Sequence, residues 1–263
     1  SVLFVEDTVS YNCKVISIQK LKKSFYGIKI LLFIGQDSID HYIISSRSIP
    51  LGKSERIKVG KYYPLQLSRY HEQPYSHATT KFIQPILIGN KAIKVTYDYS
   101  FPWVMLSPNL NGLNYIHSNK LPRINISKDS IDRFVYHVLN NISISKNKAT
   151  LSEMADTTML EKTFRQQYKN SIYNFKHINV SDFIFDSLYS QNINYEKSDS
   201  ITNFESVIVL VTGEYINLRV IWHVPGDLYP RSAILALRQE KNRMIVTGIS
   251  KIPLPYFEND FYK

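Results

Sequence analysis

The chain has 263 residues, of which 44% are hydrophobic and 21% charged, a balance that argues against disorder over its whole length. Its lone cysteine, Cys13, excludes an intramolecular disulfide, and no apolar run approaches the ~20 residues that a membrane-spanning helix needs. The net charge of +10 is uneven, because residues 1–126 hold 16 Lys and Arg against 7 Asp and Glu, whereas residues 127–263 hold 16 against 15. Two interpretations remain open for this bias: a polyanion-binding N-terminal half, or drift towards A/T-rich codons.

Residues 1–106 predict a series of short strands. Runs rich in Ile, Val, Tyr and Phe are separated by Gly, Pro, Ser and Asp, a pattern typical of a small antiparallel barrel or sandwich. Pro64 indicates a strand that begins there or lies at an edge, because proline has no N–H to give to a sheet. We expect Cys13 to be a small buried hydrophobe on the first strand. The predicted strands cover residues 11–19, 25–34, 41–46, 55–59, 61–69, 83–88 and 91–97.

The segment at residues 107–126 is polar, irregular and rich in asparagine. We expect it to connect two parts of the chain, and a connection of this length is uncommon unless it packs or carries function. The predicted organisation is therefore a β-rich domain at residues 1–106, a connecting segment at 107–126 and an α+β domain at 127–263.

The strongest helical pattern begins after Ser127, which we predict to be an N-cap. Apolar residues at i, i+3, i+4, i+7, i+8 and i+11 form one face that should pack on a sheet. Two capping-box patterns follow, and the later one, from Thr158 to Glu161, predicts a further helix after a short middle one. The face of the first helix consists of Ile131, Phe134, Val135, Val138, Leu139 and Ile142. The face of the last consists of Leu160, Phe164, Tyr168 and Ile172.

After Asn174 the hydrophobic period changes to that of strands. Predicted strands at 204–212, 215–224, 231–239 and 243–250 are joined by short turns and form an antiparallel meander. Alternation on the second of them places Trp222 on the apolar face, beneath the helices, and His223 on the opposite face. The predicted fold class is α+β: a small antiparallel β-barrel or sandwich, followed by three helices packed on a curved antiparallel sheet.

Residues 127–252 resemble the cone-shaped fold of the nuclear transport factor two-like superfamily, through the order of three helices and a long meander. The ending from Ala233 to Val246 is similar to the final hairpin of that fold, although Met244 stands where an aromatic residue often opens the last strand. In enzymes of the superfamily, the resemblance implies a cavity with a His/Asp or His/Glu pair. The superfamily also contains ligand binders, secretion-system components and structural domains, so the fold alone does not choose a function.

Five residues near the end of the second meander strand suit such a cavity. His223 would be the general base and Asp227 the acid that orients it, while Trp222, Arg219 and Tyr229 would line a ligand pocket. Against this, Asp227 lies in a Pro-Gly-Asp turn, where aspartate commonly shapes the turn. His223 would also point away from the enclosed space. The histidine spacings fit no metal site, and we expect no cofactor.

Basic and aromatic residues interleave in the N-terminal half. Lys20, Lys22 and Lys23 precede Phe25, and Lys61 precedes two tyrosines. This pattern fits a groove for single-stranded nucleic acid or another polyanion. It fits equally well amphipathic strands whose lysine stems cover apolar surface.

Nothing in the sequence requires chemistry, so we expect a non-enzymatic binding or assembly module with protein partners. An exported accessory protein of a bacterial cell envelope, periplasmic or secreted, suits this architecture. The alternatives are a cavity enzyme that uses His223, and a nucleic-acid or polyanion binder that uses the basic N-terminal half.

Overall fold

A computed structural model describes residues 9–47, 54–70, 81–98, 104–117, 126–145, 152–167, 184, 200–212, 214–227, 230–241 and 243–251. Together they form the predicted α+β fold. The described strands are β1 (Val9–Lys22), β2 (Phe25–Ile34), β3 (Asp37–Ser46), β4 (Glu55–Arg56), β5 (Tyr62–Arg69), β6 (Lys81–Ile88), β7 (Lys91–Asp98), β8 (Val104–Leu106), β9 (Leu110–Asn111), β10 (Asn114–Tyr115), β11 (Thr202–Thr212), β12 (Tyr215–His223), β13 (Arg231–Glu240) and β14 (Arg243–Lys251). The helices are α1 (Lys128–Asn140), which runs into a π-helical turn (Asn141–Ser145), and α2 (Thr157–Gln167). No helix in the described part is long and apolar enough to cross a membrane.

Five strands close into a barrel in the spatial order β1-β2-β3-β8-β5. β1 pairs antiparallel with β2 and with β5, whereas β3 and β8 run parallel. A five-stranded barrel closed in this order has the Greek-key arrangement of OB-fold domains. Cys13 is fully buried inside it, as predicted. The inward side chains include Val15, Ile28, Ile30, Leu32, Ile43, Leu65 and Leu67.

The polar segment after β8 completes the barrel. The Asn109 side chain donates to the Pro64 carbonyl at 2.9 Å, and its Oδ1 accepts from the Gln66 N–H at 3.0 Å. β8 pairs with β5 only at Ser68 and Arg69. Beyond that stretch, the Asn109 side chain makes the hydrogen bonds to β5 that a neighbouring strand would make. Residues 104–111 are buried, so this part of the predicted connection packs. The domain boundaries at 106 and 127 stay a prediction.

The C-terminal meander forms one antiparallel sheet in the order β11-β12-β13-β14, and the helices cover one of its faces. Ser127 is the N-cap of α1, since its Oγ accepts from the Ser130 N–H at 3.2 Å. Phe134 is only half-buried, because the helix turns a slightly different face to the sheet than we predicted. The fully buried face of α1 consists of Ile131, Val135, Val138 and Leu139.

The helix α2 begins at a different residue from the one predicted. Asp156 is its cap, since Asp156 Oδ1 accepts from the Met159 N–H at 3.0 Å, and Thr158 already lies inside the helix. The prediction from Thr158 was wrong because an aspartate two residues earlier is also a strong N-cap. Gln166 near the other end accepts from the Ala92 N–H at 2.9 Å. The predicted positions Tyr168 and Ile172 lie outside the described residues.

The β6–β7 hairpin covers the second face of the C-terminal sheet. Its side chains pack on the sheet and on the barrel at the same time, within one apolar cluster. Gly248 on β14 permits the close approach, because a Cβ there would lie 3.0 Å from Leu87 Cδ2. The cluster joins Ile86, Leu87, Ile88 and Ile93 of the hairpin to Val209, Ile234 and Ala236 of the sheet and to Phe25, Tyr70 and Leu106 of the barrel or its edge.

Hydrogen bonds hold the hairpin between its two neighbours. The Leu87 N–H donates to the Tyr70 hydroxyl at 2.8 Å, next to the barrel. On the sheet side, the fully buried Asn217 donates to the Leu87 carbonyl at 3.2 Å and accepts from the Gly89 N–H at 2.8 Å. Gly89 has a φ of 55°, which glycine adopts without strain. The hairpin thus links the barrel to the α+β part.

Candidate functional site

The space between the helices and the sheet is occupied by side chains. Trp222 is fully buried there, as the strand alternation predicted, and its Nε1 donates to Ser143 Oγ at 3.2 Å. Ser143 belongs to the π-helical turn that follows α1 and is itself buried. The indole therefore fills the region where a cone-shaped enzyme would hold its substrate, and its polar N–H is satisfied.

His223 lies on the other face of β12, half-buried. Its Nε2 is 2.8 Å from the Asp227 main-chain carbonyl oxygen, while the Asp227 carboxylate accepts from Arg231 Nε at 2.6 Å. The His223 ring thus contacts the main chain of Asp227 and not its carboxylate. The Asp227 carboxylate, which would have to orient a general base, is bonded to Arg231. Their catalytic roles stay a prediction.

The predicted ligand pocket is divided by the sheet. Trp222 belongs to the core beneath the helices, whereas Arg219 is half-buried on the opposite face, because the two residues are an odd number apart on β12. Tyr229 lies outside the described residues. The structure therefore does not bring Trp222 and Arg219 to one surface.

An open groove of about 860 Å³ lies at the turns that join β11 to β12 and β13 to β14. Arg238 is its central charge and pairs with Glu240 and with Asp156, the latter at 3.3 Å. Burial alone would lower the pKa of Arg238, but hydrogen bonds to Tyr215 and Glu240 outweigh it and raise that pKa. These contacts neutralise much of the groove's charge internally. Its lining consists of Glu214, Arg238, Gln239, Glu240, Lys241 and Arg243.

Cations from separate segments meet at the β1–β2 turn. Lys22 and Lys23 are exposed there, and the Arg47 N–H donates to the Ser24 carbonyl at 2.9 Å, which places exposed Arg47 beside them. The Lys91 ammonium, from the tip of the β6–β7 hairpin, donates to the Arg47 carbonyl. Burial and then the charge of Arg47 lower the pKa of Lys91. We call Lys20, Lys22, Lys23, Arg47 and Lys91 the basic turn patch.

The sequence predicted three of these five residues. Arg47 and Lys91 were missed because nothing local marks them. Pairing of β3 with β2 brings Arg47 to the turn, and a hydrogen bond to the Arg47 carbonyl brings Lys91 there. Lys61, which was predicted with Lys20, Lys22 and Lys23, lies elsewhere. The Lys61 carbonyl accepts from the Val15 N–H at 3.0 Å. Val15 precedes Lys20 by five residues on β1, so Lys61 lies roughly 17 Å from Lys20 along that strand.

Lys61 adjoins an aromatic surface on the outside of the barrel. Tyr62 on β5 is 51% exposed, and its ring centroid lies 5.8 Å from that of Phe33 on β2. Lys14, on the β1 strand between them, places its ammonium 5.7 Å from the centre of the Tyr62 ring. We call Lys14, Phe33 and Tyr62 the ring platform. The sequence marked Tyr62 through its basic neighbour, but Phe33 carried no such signal.

Comparisons with known proteins add little to this geometry. No protein-family model matches the chain, and no curated protein matches it either. Among solved structures, an Ntf2-like protein involved in plasmid conjugation is 9% identical, with 93% of this chain and 78% of that chain covered. The description of that protein names the same fold type that residues 127–252 resemble in sequence. The TM-score is 0.29, so the structural similarity is weak and carries no information about function.

Proposed function

We propose that this chain is a binding or assembly module and not a cavity enzyme. The observation that supports this is the coverage of the C-terminal sheet, which has helices on one face and the β6–β7 hairpin with the barrel on the other. Trp222 and Asn217 lie on opposite faces of β12, and both are fully buried. A cavity enzyme needs an enclosed space that a substrate can enter. The resemblance implied such a space between the helices and the sheet, and buried side chains fill it.

Trp222 itself offers the test of this proposal. The chain has two tryptophans, so replacing Trp103, which lies outside the described residues, with Phe leaves Trp222 as the single indole reporter. We expect blue-shifted emission that resists acrylamide and does not change with small apolar ligands. Ready quenching, or a saturable change with such a ligand, would show an accessible cavity and overturn the proposal.

The outer surface of the barrel is the part of the module that we propose as its binding surface. Within the described residues, every large hydrophobic side chain recorded as exposed lies in or beside the barrel strands: Ile16, Ile34, Ile39, Val59 and Tyr62. We infer that these exposed apolar side chains contribute to the binding surface.

A polyanion is the ligand class that the charge of this surface supports. The basic turn patch joins cations from β1, β3 and the hairpin tip, and residues 1–126 hold 16 cationic against 7 acidic side chains. Attraction to phosphate or sulfate groups should then release counterions, so that affinity falls steeply with salt.

Fluorescence anisotropy with labelled oligothymidylate and with heparin, in a salt series, tests the polyanion proposal. We expect binding to both in low salt, and a shallower salt dependence when Lys20, Lys22 and Lys23 are all changed to Gln, by roughly two units of slope. Replacing the exposed Lys241 and Arg243 of the C-terminal groove with Gln is the matched control and should leave the slope unchanged. If the wild-type chain binds neither polyanion in low salt, codon drift explains the charge.

We also propose, from the sequence expectation alone, that the protein acts outside the cytoplasm. Fractionation of cells that express the complete gene checks this. Recovery in the cytoplasmic fraction alone would contradict it.

A further inference from the structure

We propose that the ring platform is a stacking site for the bases of single-stranded nucleic acid. The inference rests on the polyanion-binding proposal and adds a site, separate from the basic turn patch, that reads the base and not the phosphate. It is carried by three side chains from three strands, Lys14 on β1, Phe33 on β2 and Tyr62 on β5, which meet on the outside of the barrel.

The platform is organised before any ligand arrives. The Tyr62 and Phe33 rings are inclined by 40° at 5.8 Å, and the Lys14 ammonium lies 5.7 Å from the Tyr62 ring centre. These contacts hold an exposed ring in one orientation, so little side-chain freedom remains to be lost on binding. An exposed tyrosine without such neighbours would have to be ordered by its ligand.

The surroundings of the platform favour an anionic ligand. Lys58 and Lys61 are exposed on the segment that leads into β5, within four residues of Tyr62. Lys14, whose ammonium lies 5.7 Å from the centre of the Tyr62 ring, can contact a phosphate next to a stacked base. Aromatic rings flanked by cations are the arrangement by which proteins hold single strands, since every base offers a flat π-face.

The geometry distinguishes single strands from other polyanions. A duplex keeps its bases stacked inside and presents phosphates only, so it would gain nothing from Tyr62. Heparin offers sulfates without flat rings, so its binding would depend on the cations alone. Loss of the Tyr62 ring should therefore affect one class of ligand and spare the others.

The experiment compares variants of the full chain for oligothymidylate of about ten nucleotides, a length that one small barrel can contact. We expect Tyr62→Ala to weaken binding about 5- to 150-fold, the range measured for one base stacked on one aromatic side chain. Tyr62→Phe keeps the ring and should bind like the wild type. Ser17→Ala is the matched control, because Ser17 is exposed on β1 of the same barrel, carries neither ring nor charge and lies outside the proposed binding surface.

Heparin binding separates this inference from the proposal on which it rests. We expect Tyr62→Ala to bind heparin like the wild type, and Lys14→Gln to lower the salt slope for oligothymidylate by about one unit. If Tyr62→Ala binds oligothymidylate normally while the triple Lys20, Lys22 and Lys23 variant does not, the stacking site is wrong and polyanion binding stands. If the wild type binds neither ligand, both fail. An equal loss of heparin and oligothymidylate in Tyr62→Ala also overturns base stacking.

Discussion

The barrel and the C-terminal sheet use strands of similar composition in different ways. In the barrel, inward residues such as Cys13 and Ile30 are fully buried while outward residues such as Lys14 and Tyr62 meet solvent. In the sheet, the central parts of β11 and β13 are buried on both faces, because helices cover one face and the β6–β7 hairpin the other. The barrel therefore keeps an outer surface for ligands, and the sheet supplies a filled core.

The largest expected effect comes from the sheet core. Trp222→Ala should cost about 3–5 kcal/mol of unfolding free energy, since it removes a fully buried indole and leaves a cavity. Phe134→Ala, at a half-buried ring on α1, should cost only about 1–2 kcal/mol. Urea denaturation followed by circular dichroism measures both. Equal losses would mean that Trp222 is no more tightly enclosed than Phe134, which would contradict the structure.

Two asparagines test the two regions in parallel. Asn217→Ala should cost about 2–4 kcal/mol, because the Leu87 carbonyl and the Gly89 N–H lose their partner in a buried place. Asn109→Ala in the barrel should cost less, about 1–3 kcal/mol, since its contacts with Pro64 and Gln66 are only partly buried.

Urea denaturation of both asparagine variants gives these values, and Asn12→Ala, at an exposed position on β1, is the control. A smaller cost for Asn217→Ala than for Asn109→Ala would contradict the idea that burial of the hydrogen bonds sets the cost of losing them.

A smaller effect is expected at the start of α2. Asp156→Ala should cost about 1 kcal/mol through loss of the N-cap, whereas Thr158→Ala should change stability little. Asp156→Asn keeps the cap and removes the negative charge that faces Arg238 at 3.3 Å. Thermal denaturation of the three variants separates the contribution of the N-cap to stability from that of the ion pair with Arg238. A larger loss from Thr158→Ala than from Asp156→Ala would restore the original capping prediction.

The last effect, which is absent near neutral pH, concerns the pH dependence of the barrel. Burial raises the pKa of the Cys13 thiol from 9.0 to about 12. The unfolded chain therefore loses this proton at lower pH than the folded chain, and the stability that the neutral thiol contributes is present below pH 9.0 and lost as pH rises towards 12. Cys13→Ala should flatten the alkaline fall in stability relative to the wild type. An identical pH profile for the two proteins would contradict this.

Much of the architecture could be predicted because each element carries its own period. The helix after Ser127 and the strands up to residue 250 follow from apolar spacing alone. We did not predict that the second face of the C-terminal sheet would be covered, although the sequence of two strands indicates it. Val207–Val211 and Ala233–Leu237 are continuous apolar runs, which indicate burial on both faces.

The binding surfaces were predicted only in part. Lys22 and Tyr62 carried a local signal, whereas Arg47 and Phe33 reach their places through strand pairing in the barrel. Lys91 reaches its place through the contact of the hairpin tip with the Arg47 carbonyl. Asn217 lies on the same face of β12 as His223, opposite the apolar face that strand alternation predicted. It is buried because the hairpin brings the Leu87 and Gly89 main chain to it, which no local pattern shows.

The central claim is that the β6–β7 hairpin couples the barrel to the sheet. Each region has one reporter: Cys13, the single cysteine, for the barrel, and Trp222, in a Trp103→Phe background, for the sheet. The most direct measurement is urea unfolding followed by thiol labelling and by indole fluorescence on the same protein. Coincident midpoints are predicted, since the hairpin packs on both regions. Two well-separated midpoints in the protein with Asn217 intact would contradict the claim.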